Sequence, residues 1–287
     1  MGSDRWVAWL LRALWAVLPF VAGPPLAAAL DGASTPVRDL GSVGLWTGWA
    51  AGLLATLVPR PVGLTVLRLV APAGALAVVG AALGGHRSIP ALLLTIALAG
   101  AVTTAEVATV FANGSAYPNE RRFPLRAPAA LLVLLAPLAW AVAVAGIATG
   151  PLLLAARQWA AGAVASIAGF ALAGVMIRAL HTLSRRWAVL VPAGLVLHDP
   201  MSLLDPVLFK RDLIEALRPA PADTDSLDLT QRAPGLALEL LLTEKVEMVL
   251  AVPRGKDEAG ASARLLFTPA RPGALLAAAR QRGVPVS

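Results

Sequence analysis

Apolar positions along this chain follow two rhythms. From Trp6 to His181 they run in long stretches separated by short turns, and beyond Arg186 they alternate with polar positions. A run of about 20 apolar residues is long enough to cross a ~30 Å hydrocarbon core at 1.5 Å per residue. Strict alternation is instead the period of a half-buried strand. The first rhythm predicts six membrane spans, at Trp6–Leu30, Ser42–Val58, Val62–Leu83, Ile89–Ala112, Ala129–Ile147 and Leu154–His181. Ser42–Val58 is the shortest, and the parity of the spans hangs on it. Turns are expected at Pro59-Arg60-Pro61, Gly84–Ser88, Asn113–Pro128 and Thr149-Gly150-Pro151. Pro19, Pro72 and Pro137 fall inside spans, where a missing N–H predicts a kink.

The second rhythm predicts strands. Trp187–Val191 and Leu195–Asp199 flank Pro192-Ala193-Gly194, which reads as a hairpin with Gly at the tight position. Further strand-like runs are Pro206–Lys210, Leu213–Leu217, Ser226–Leu229, Leu236–Thr243, Lys245–Val252 and Ala263–Thr268, with a loop over Arg254–Ser262. Leu275, Leu276 and Ala279 share a face of an expected amphipathic helix at Pro272–Arg282. The expected fold class is therefore a membrane all-α bundle over 1–183 followed by an α+β domain of antiparallel strands and one C-terminal helix over 184–287.

Composition fits a membrane protein, with 57% hydrophobic and 14% charged residues. The formal charge of +7 suggests a nucleic-acid partner only until it is divided along the chain. Residues 1–183 carry eleven Arg against five acids, whereas 184–287 carry thirteen Lys and Arg against twelve acids. The excess base lies at span ends, which points to lipid headgroups and topology rather than DNA or RNA. With the N-terminus inside, Arg5, Arg60, Arg121, Arg122, Arg126, Arg185 and Arg186 face the cytoplasm against Arg38, Arg87 and Arg157 outside, so both the N-terminus and the C-terminal domain are expected in the cytoplasm. Trp6, Trp46, Trp159 and Trp187 fall near expected interfaces as an aromatic belt. Asp4 and Arg12 argue that the first span is retained rather than cleaved as a leader. The chain has no Cys, which excludes disulfides and thiolate chemistry.

Glu106 is the sharpest single residue. Arg12, Arg68 and Glu106 each lie about six residues, or ~9 Å, from the expected inner edges of their spans. A charge at that depth needs a partner, so an Arg68/Glu106 pair joined by Arg12 is expected. Such a cluster either fixes helix register or forms an ion or proton relay or an anion pocket. The loop holding Arg121, Arg122 and Arg126 beside Tyr117 and Phe123 presents guanidiniums suited to an acidic partner or anionic lipid. The acidic segment Asp223–Asp228 is expected to dock on it. Gly162, Ser166, Gly169 and Ala173 recur at helical spacing and make the span at 154–181 a candidate for helix contact or homo-oligomerisation. His86, His181 and His198 are scattered, and Asp199 and Asp205 read as turn caps. No catalytic residue, metal ligand set or cofactor motif is assigned.

The segments RRWAVLVPAGLVLHD, LFKRDLIEAL and LLFTPARPGALLAAARQRG resemble the first hairpin, the next strand and the terminal strand and helix of bacterial PH-like domains. The resemblance covers about the last hundred residues, and the Ala-rich spans before it resemble integral membrane proteins of actinobacteria. It implies a partly open β-barrel capped by the helix, with a role in protein association at the membrane. Phosphoinositide-binding members use a basic pocket in their early loops, for which Lys210, Arg211, Arg185 and Arg186 are the candidates. The expected function is an adaptor of the bacterial inner membrane whose domain at 184–287 recruits or regulates a protein partner, in a setting such as envelope or division processes. The alternative is a small-solute or lipid transporter using Arg12, Arg68 and Glu106.

Overall fold

The computed structural model describes residues 2–251 and 258–287 and divides the chain into two compact units. One holds Met1–Gly114 with Ala136–His181, and the other Ser115–Leu135 with Thr182–Ser287. The end of the expected strand at Val252 and part of the Arg254–Ser262 loop lie outside the described residues.

The first unit is helical. It contains α1 (Gly2–Leu30), α2 (Thr35–Leu57), α3 (Pro61–Leu83), α4 (Ile89–Ala101), α5 (Ala105–Asn113), α6 (Ala136–Ala155, entered through a π turn at Leu131–Leu135) and α7 (Trp159–Leu183). Five helices among the described residues are long and apolar enough to cross a membrane, and a sixth span exists if the bent pair α4/α5 is counted as one. These helices mark a multi-pass membrane protein. The short second span is in fact a 23-residue helix, because Pro36 sits in its first turn and the polar residues after Asp31 join it.

Two stretches depart from the periodicity. The fourth span does not run unbroken from Ile89 to Ala112 but bends by 62° between α4 and α5. Thr103 and Thr104 turn their hydroxyls back to the Gly100 and Ala101 carbonyls at 2.7 Å each. Thr104 also accepts from the Val107 N–H as the N-cap of α5. Adjacent Thr residues thus offer the backbone local partners that compete with a continuous helix. Thr149-Gly150-Pro151, expected as a turn, continues α6 instead. A Cβ on Gly150 would lie 2.4 Å from Ser166 Oγ, and one on Gly146 would lie 2.5 Å from the Gly169 carbonyl. The small residues of α7 are therefore used within the chain, letting α6 and α7 approach backbone to backbone.

A proline inside a span leaves a carbonyl without its helical donor, and at Pro19 an indole fills in. Pro19 cannot donate to the Trp15 carbonyl four residues earlier. Trp49 Nε1 donates to that carbonyl at 3.0 Å, and Trp15 Nε1 returns a bond to the Trp49 carbonyl at 2.9 Å. The reciprocal pair locks α1 to α2, and Gly52 is needed beside it because a Cβ there would overlap the buried Trp15 ring. On α3, next to the carbonyl that Pro72 leaves open, Leu69 accepts from Trp140 Nε1 of α6 at 3.1 Å. Leu11, Leu64, Leu67, Leu98, Val107 and Phe111 pack around these contacts.

The second unit is built on two sheets. One has the order β1 (Arg121–Pro124), β2 (Trp187–Val191), β3 (Gly194–His198), β4 (Val207–Lys210), all antiparallel. The other runs β5 (Ile214–Pro219), β7 (Leu238–Leu250), β8 (Glu258–Phe267), β6 (Leu227–Asp228), with β6 parallel to β8. Two runs read separately from the sequence, Leu236–Thr243 and the one from Lys245, form the single strand β7, whose pairing slips between Leu241 and Val246. A slip changes which residues face inward, so the alternation is interrupted without a turn. The loop expected over Asn113–Pro128 supplies β1, so the sheet unit draws on residues ahead of 184 as well. At the β2–β3 turn Gly194 has φ of 150°, and a Cβ there would overlap the Phe209 carbonyl. The helix α8 (Pro272–Gln281) inserts Leu275, Ala278 and Ala279 into a core with Phe123, Leu190, Phe209, Leu217 and Phe267.

Trp49→Phe keeps a ring at the α1/α2 contact and strands the Trp15 carbonyl. It is expected to cost the helical unit about 1–3 kcal/mol, read as a lower thermal midpoint in detergent, whereas Trp6→Phe, at an exposed position, leaves the midpoint unchanged.

Candidate functional site

The intramembrane charges do not assemble as a triad. Arg12, on α1, donates from Nε to the Thr56 carbonyl at 3.0 Å and lies over the Trp9 ring. Thr56 is in the last turn of α2, where carbonyls lack an intrahelical donor. Arg68, on α3, donates from Nε to the Val102 carbonyl at 3.1 Å, and Val102 is the C-cap of the broken helix α4. Both guanidiniums thus close helix C-termini, where a cation also suits the helix dipole. Glu106 is exposed in the first turn of α5 and makes no ion pair among the described residues. The expected Arg68/Glu106 pair is absent because the bend puts the α4 end, not the Glu106 carboxylate, in front of Arg68.

In the sheet unit, Arg186 is not a surface cation. Its Nε and Nη2 meet Asp199 Oδ1 and Oδ2 at 2.6 and 2.8 Å, and its Nη1 donates to the Arg126 carbonyl at 3.1 Å. Both side chains are 1% exposed. Asp199 also accepts from the Met201 N–H and from Ser202 Oγ, which in turn reaches the Leu229 carbonyl. The turn role read for Asp199 is present in the Met201 bond, while its larger role is to hold Arg186. The guanidinium ties the start of β2 to the end of the β1 segment and the turn after β3.

The remaining candidates divide between two places. Arg122 stacks over the Trp187 ring at 5.3 Å, and Trp187 stacks on His198 at 5.3 Å, so Trp187 belongs to the sheet rather than to an aromatic belt. Arg122 also pairs with Glu120 at 3.1 Å. Arg185 and Arg126 are exposed near this face. Burial, then Arg185 and Arg122, push the His198 pKa below its ordinary value, with Asp199 opposing them. The second place is the tip of the β2–β3 hairpin. Arg211 donates from its backbone N–H to the Ala193 carbonyl and from Nη2 to the Pro192 carbonyl at 3.0 Å. Lys210 is opposite Gly194, and Arg121 is opposite Leu190. Arg282, at the end of α8, donates to the Leu190 and Asn119 carbonyls at 2.8 and 2.7 Å.

Arg282 escaped the sequence reading, because nothing in a terminal helix signals that its end returns to the first hairpin. Arg178, three residues before His181 on α7, was also missed, although that spacing puts the two on one helical face. The acidic segment Asp223–Asp228 turns to its own sheet: Asp225 pairs with Arg264 at 3.4 Å. Glu239 lies between Arg218, Thr224 and Ser226. Burial works against its charge, but the bonds from Ser226, Thr224 and Arg218 outweigh it and lower its pKa. Among the described residues no group of three His, Asp or Glu is placed to hold a metal ion. No family model, curated protein or solved structure matches the chain.

Removing one partner of the buried pair strands the other charge. Arg186→Met or Asp199→Leu is expected to destabilise the sheet unit by about 3–5 kcal/mol, and the double replacement by clearly less than the sum, measured by chemical unfolding of the full chain followed through near-ultraviolet circular dichroism. His198 has a second signature. Its lowered folded pKa favours the folded state above the ordinary value of 6.5 and withdraws that advantage as pH falls through the folded value. His198→Phe keeps the ring stack and is expected to flatten the fall in thermal midpoint between about pH 7.5 and about pH 5.

Proposed function

We propose that the protein is a membrane-anchored recruiting module whose helices hold a PH-like domain at the cytoplasmic face of a bacterial inner membrane, where it binds an acidic segment of a protein partner. The observation that carries this reading is the pair of cations at the turn Pro192–Gly194, where Arg211 donates to the Pro192 and Ala193 carbonyls and exposed Lys210 lies opposite Gly194. Clustered cations on a rigid turn steer and hold an acidic ligand more effectively than scattered ones. Two four-stranded sheets closed by a terminal helix support the PH-like assignment. The pairing of β1 with β2 requires both segments to emerge on one side of the membrane, which suits the two spans between them. The seven Arg assigned to that side by the positive-inside rule favour the cytoplasm. The transporter alternative loses its main support, since Arg12 and Arg68 are committed to backbone carbonyls and Glu106 stands apart.

The test is capture of the tagged full chain in native nanodiscs, as wild type, as Lys210→Glu/Arg211→Glu and as the control Arg232→Glu. A protein enriched by the wild type and the control, lost about tenfold by the double variant and released when ionic strength is raised to about 0.5 M, is the expected result. Enrichment indifferent to the hairpin charges overturns the assignment.

A further inference from the structure

A half-open groove of about 350 Å³ runs between α3 and α7, lined by Val62, Thr65, Val66, Leu69, Gly174, Ile177, Arg178 and His181. Its polarity is graded along the helix axes. α3 begins at Pro61 and α7 ends at Leu183, so both helices have the same end of the groove at their boundary. The polar residues lie close to that end: Thr65 is about 6 Å into α3 and Arg178 about 8 Å from the end of α7 at 1.5 Å per residue. His181 is nearer still, and its Nδ1 lies 2.9 Å from Thr65 Oγ1. Deeper in, at about 12–14 Å by the same rise, the walls are Leu69 and Gly174. A side chain at Gly174 would meet nothing within 4 Å, so the deep wall is open there. At this depth Trp140 of α6 donates to the Leu69 carbonyl at 3.1 Å.

From this grading we infer that the groove is a binding site for an anionic phospholipid of the surrounding bilayer, independent of the role given to the sheet unit. The phosphate lies at Arg178 and His181, and the first part of an acyl chain lies along Val66, Leu69, Ile177 and the open wall at Gly174. Charge complementarity selects the headgroup. A guanidinium and an imidazole three residues apart on one helical face present donors to the same phosphate, while a zwitterionic headgroup brings its own cation against them. The apolar length selects a lipid over a free anion. Beyond Arg178 the walls are aliphatic side chains and Gly174, which offer nothing to a small ion, whereas an acyl chain packs along them. The Thr65–His181 bond holds the two walls together at the headgroup level.

The measurement is native mass spectrometry of the purified full chain in detergent, with dioleoylphosphatidylglycerol and dioleoylphosphatidylcholine added in turn. The wild type is expected to retain phosphatidylglycerol about tenfold more tightly than phosphatidylcholine. Arg178→Gln abolishes that preference, and Gly174→Leu, which fills the open wall, weakens retention of both lipids. Inorganic phosphate, carrying charge without a tail, leaves the lipid in place. Equal retention of the two lipids by the wild type overturns the inference, as does a preference that survives Arg178→Gln, retention indifferent to Gly174→Leu, or displacement by phosphate alone. Circular dichroism of each variant reports helix content, and a variant that has lost it is replaced by Arg178→Met or Gly174→Ile at the same position.

Discussion

Polar groups taken out of water must be paired, and in the helical unit this constraint acts on the backbone itself. Hydrocarbon offers no hydrogen bonds, so each carbonyl released by a proline, a break or a helix end has to find a donor inside the protein. Pro19 releases the Trp15 carbonyl, and Trp49 supplies it. The end of α2 is met by Arg12, and the end of α4 by Arg68. Each donor comes from a different helix from its acceptor. The same bonds that satisfy irregular backbone therefore fix which helices are neighbours, a specificity that dispersion between Ala-rich surfaces does not supply.

The sheet unit answers the same constraint with a charge pair. Arg186 and Asp199 are removed from water together, and their bidentate bond is completed by the Arg126 carbonyl, the Met201 N–H and Ser202. Replacing such a pair by apolar residues is often neutral in stability, so its contribution is better sought in specificity. Here that has a concrete content. β1 arrives from between two helices and β2 follows the last span, and a short strand of four residues is weakly registered by side-chain alternation alone. The guanidinium reaching the carbonyl at the end of the β1 segment adds a contact that a slipped register cannot make.

Hydropathy made the two-part organisation legible, and the hairpin at Pro192–Gly194 was legible from turn chemistry. What stayed hidden was set by pairing at a distance. Arg121-Arg122-Phe123 looks like a loop because four residues carry little periodicity, and only the partner strand more than sixty positions later makes them β1. Thr103 and Thr104 leave the expected span at Ile89–Ala112 unbroken, because a helical wheel records hydroxyls as side chains and not as competing caps. Arg68 and Glu106 share a depth in a straight-helix count, and a 62° bend between them undoes it. The stripe of Gly162, Ser166 and Gly169 shows in the sequence, but the surface of α6 it meets lies at Gly146 and Gly150, which the apolar pattern places in a separate span and a turn.

A chain with 24 basic residues of which 21 are Arg cannot be read for function by counting cations. The sorting principle is what each cation faces. Arg12, Arg68, Arg186 and Arg218 face carbonyls or carboxylates of this chain, and their removal acts on folding. Arg282 holds two carbonyls as well, those of Leu190 and Asn119, while Lys210 and Arg211 stay at the exposed hairpin turn. It ties the end of the C-terminal helix to β2 and to the segment ahead of β1, so its removal acts on the closure of the domain and not on surface charge alone.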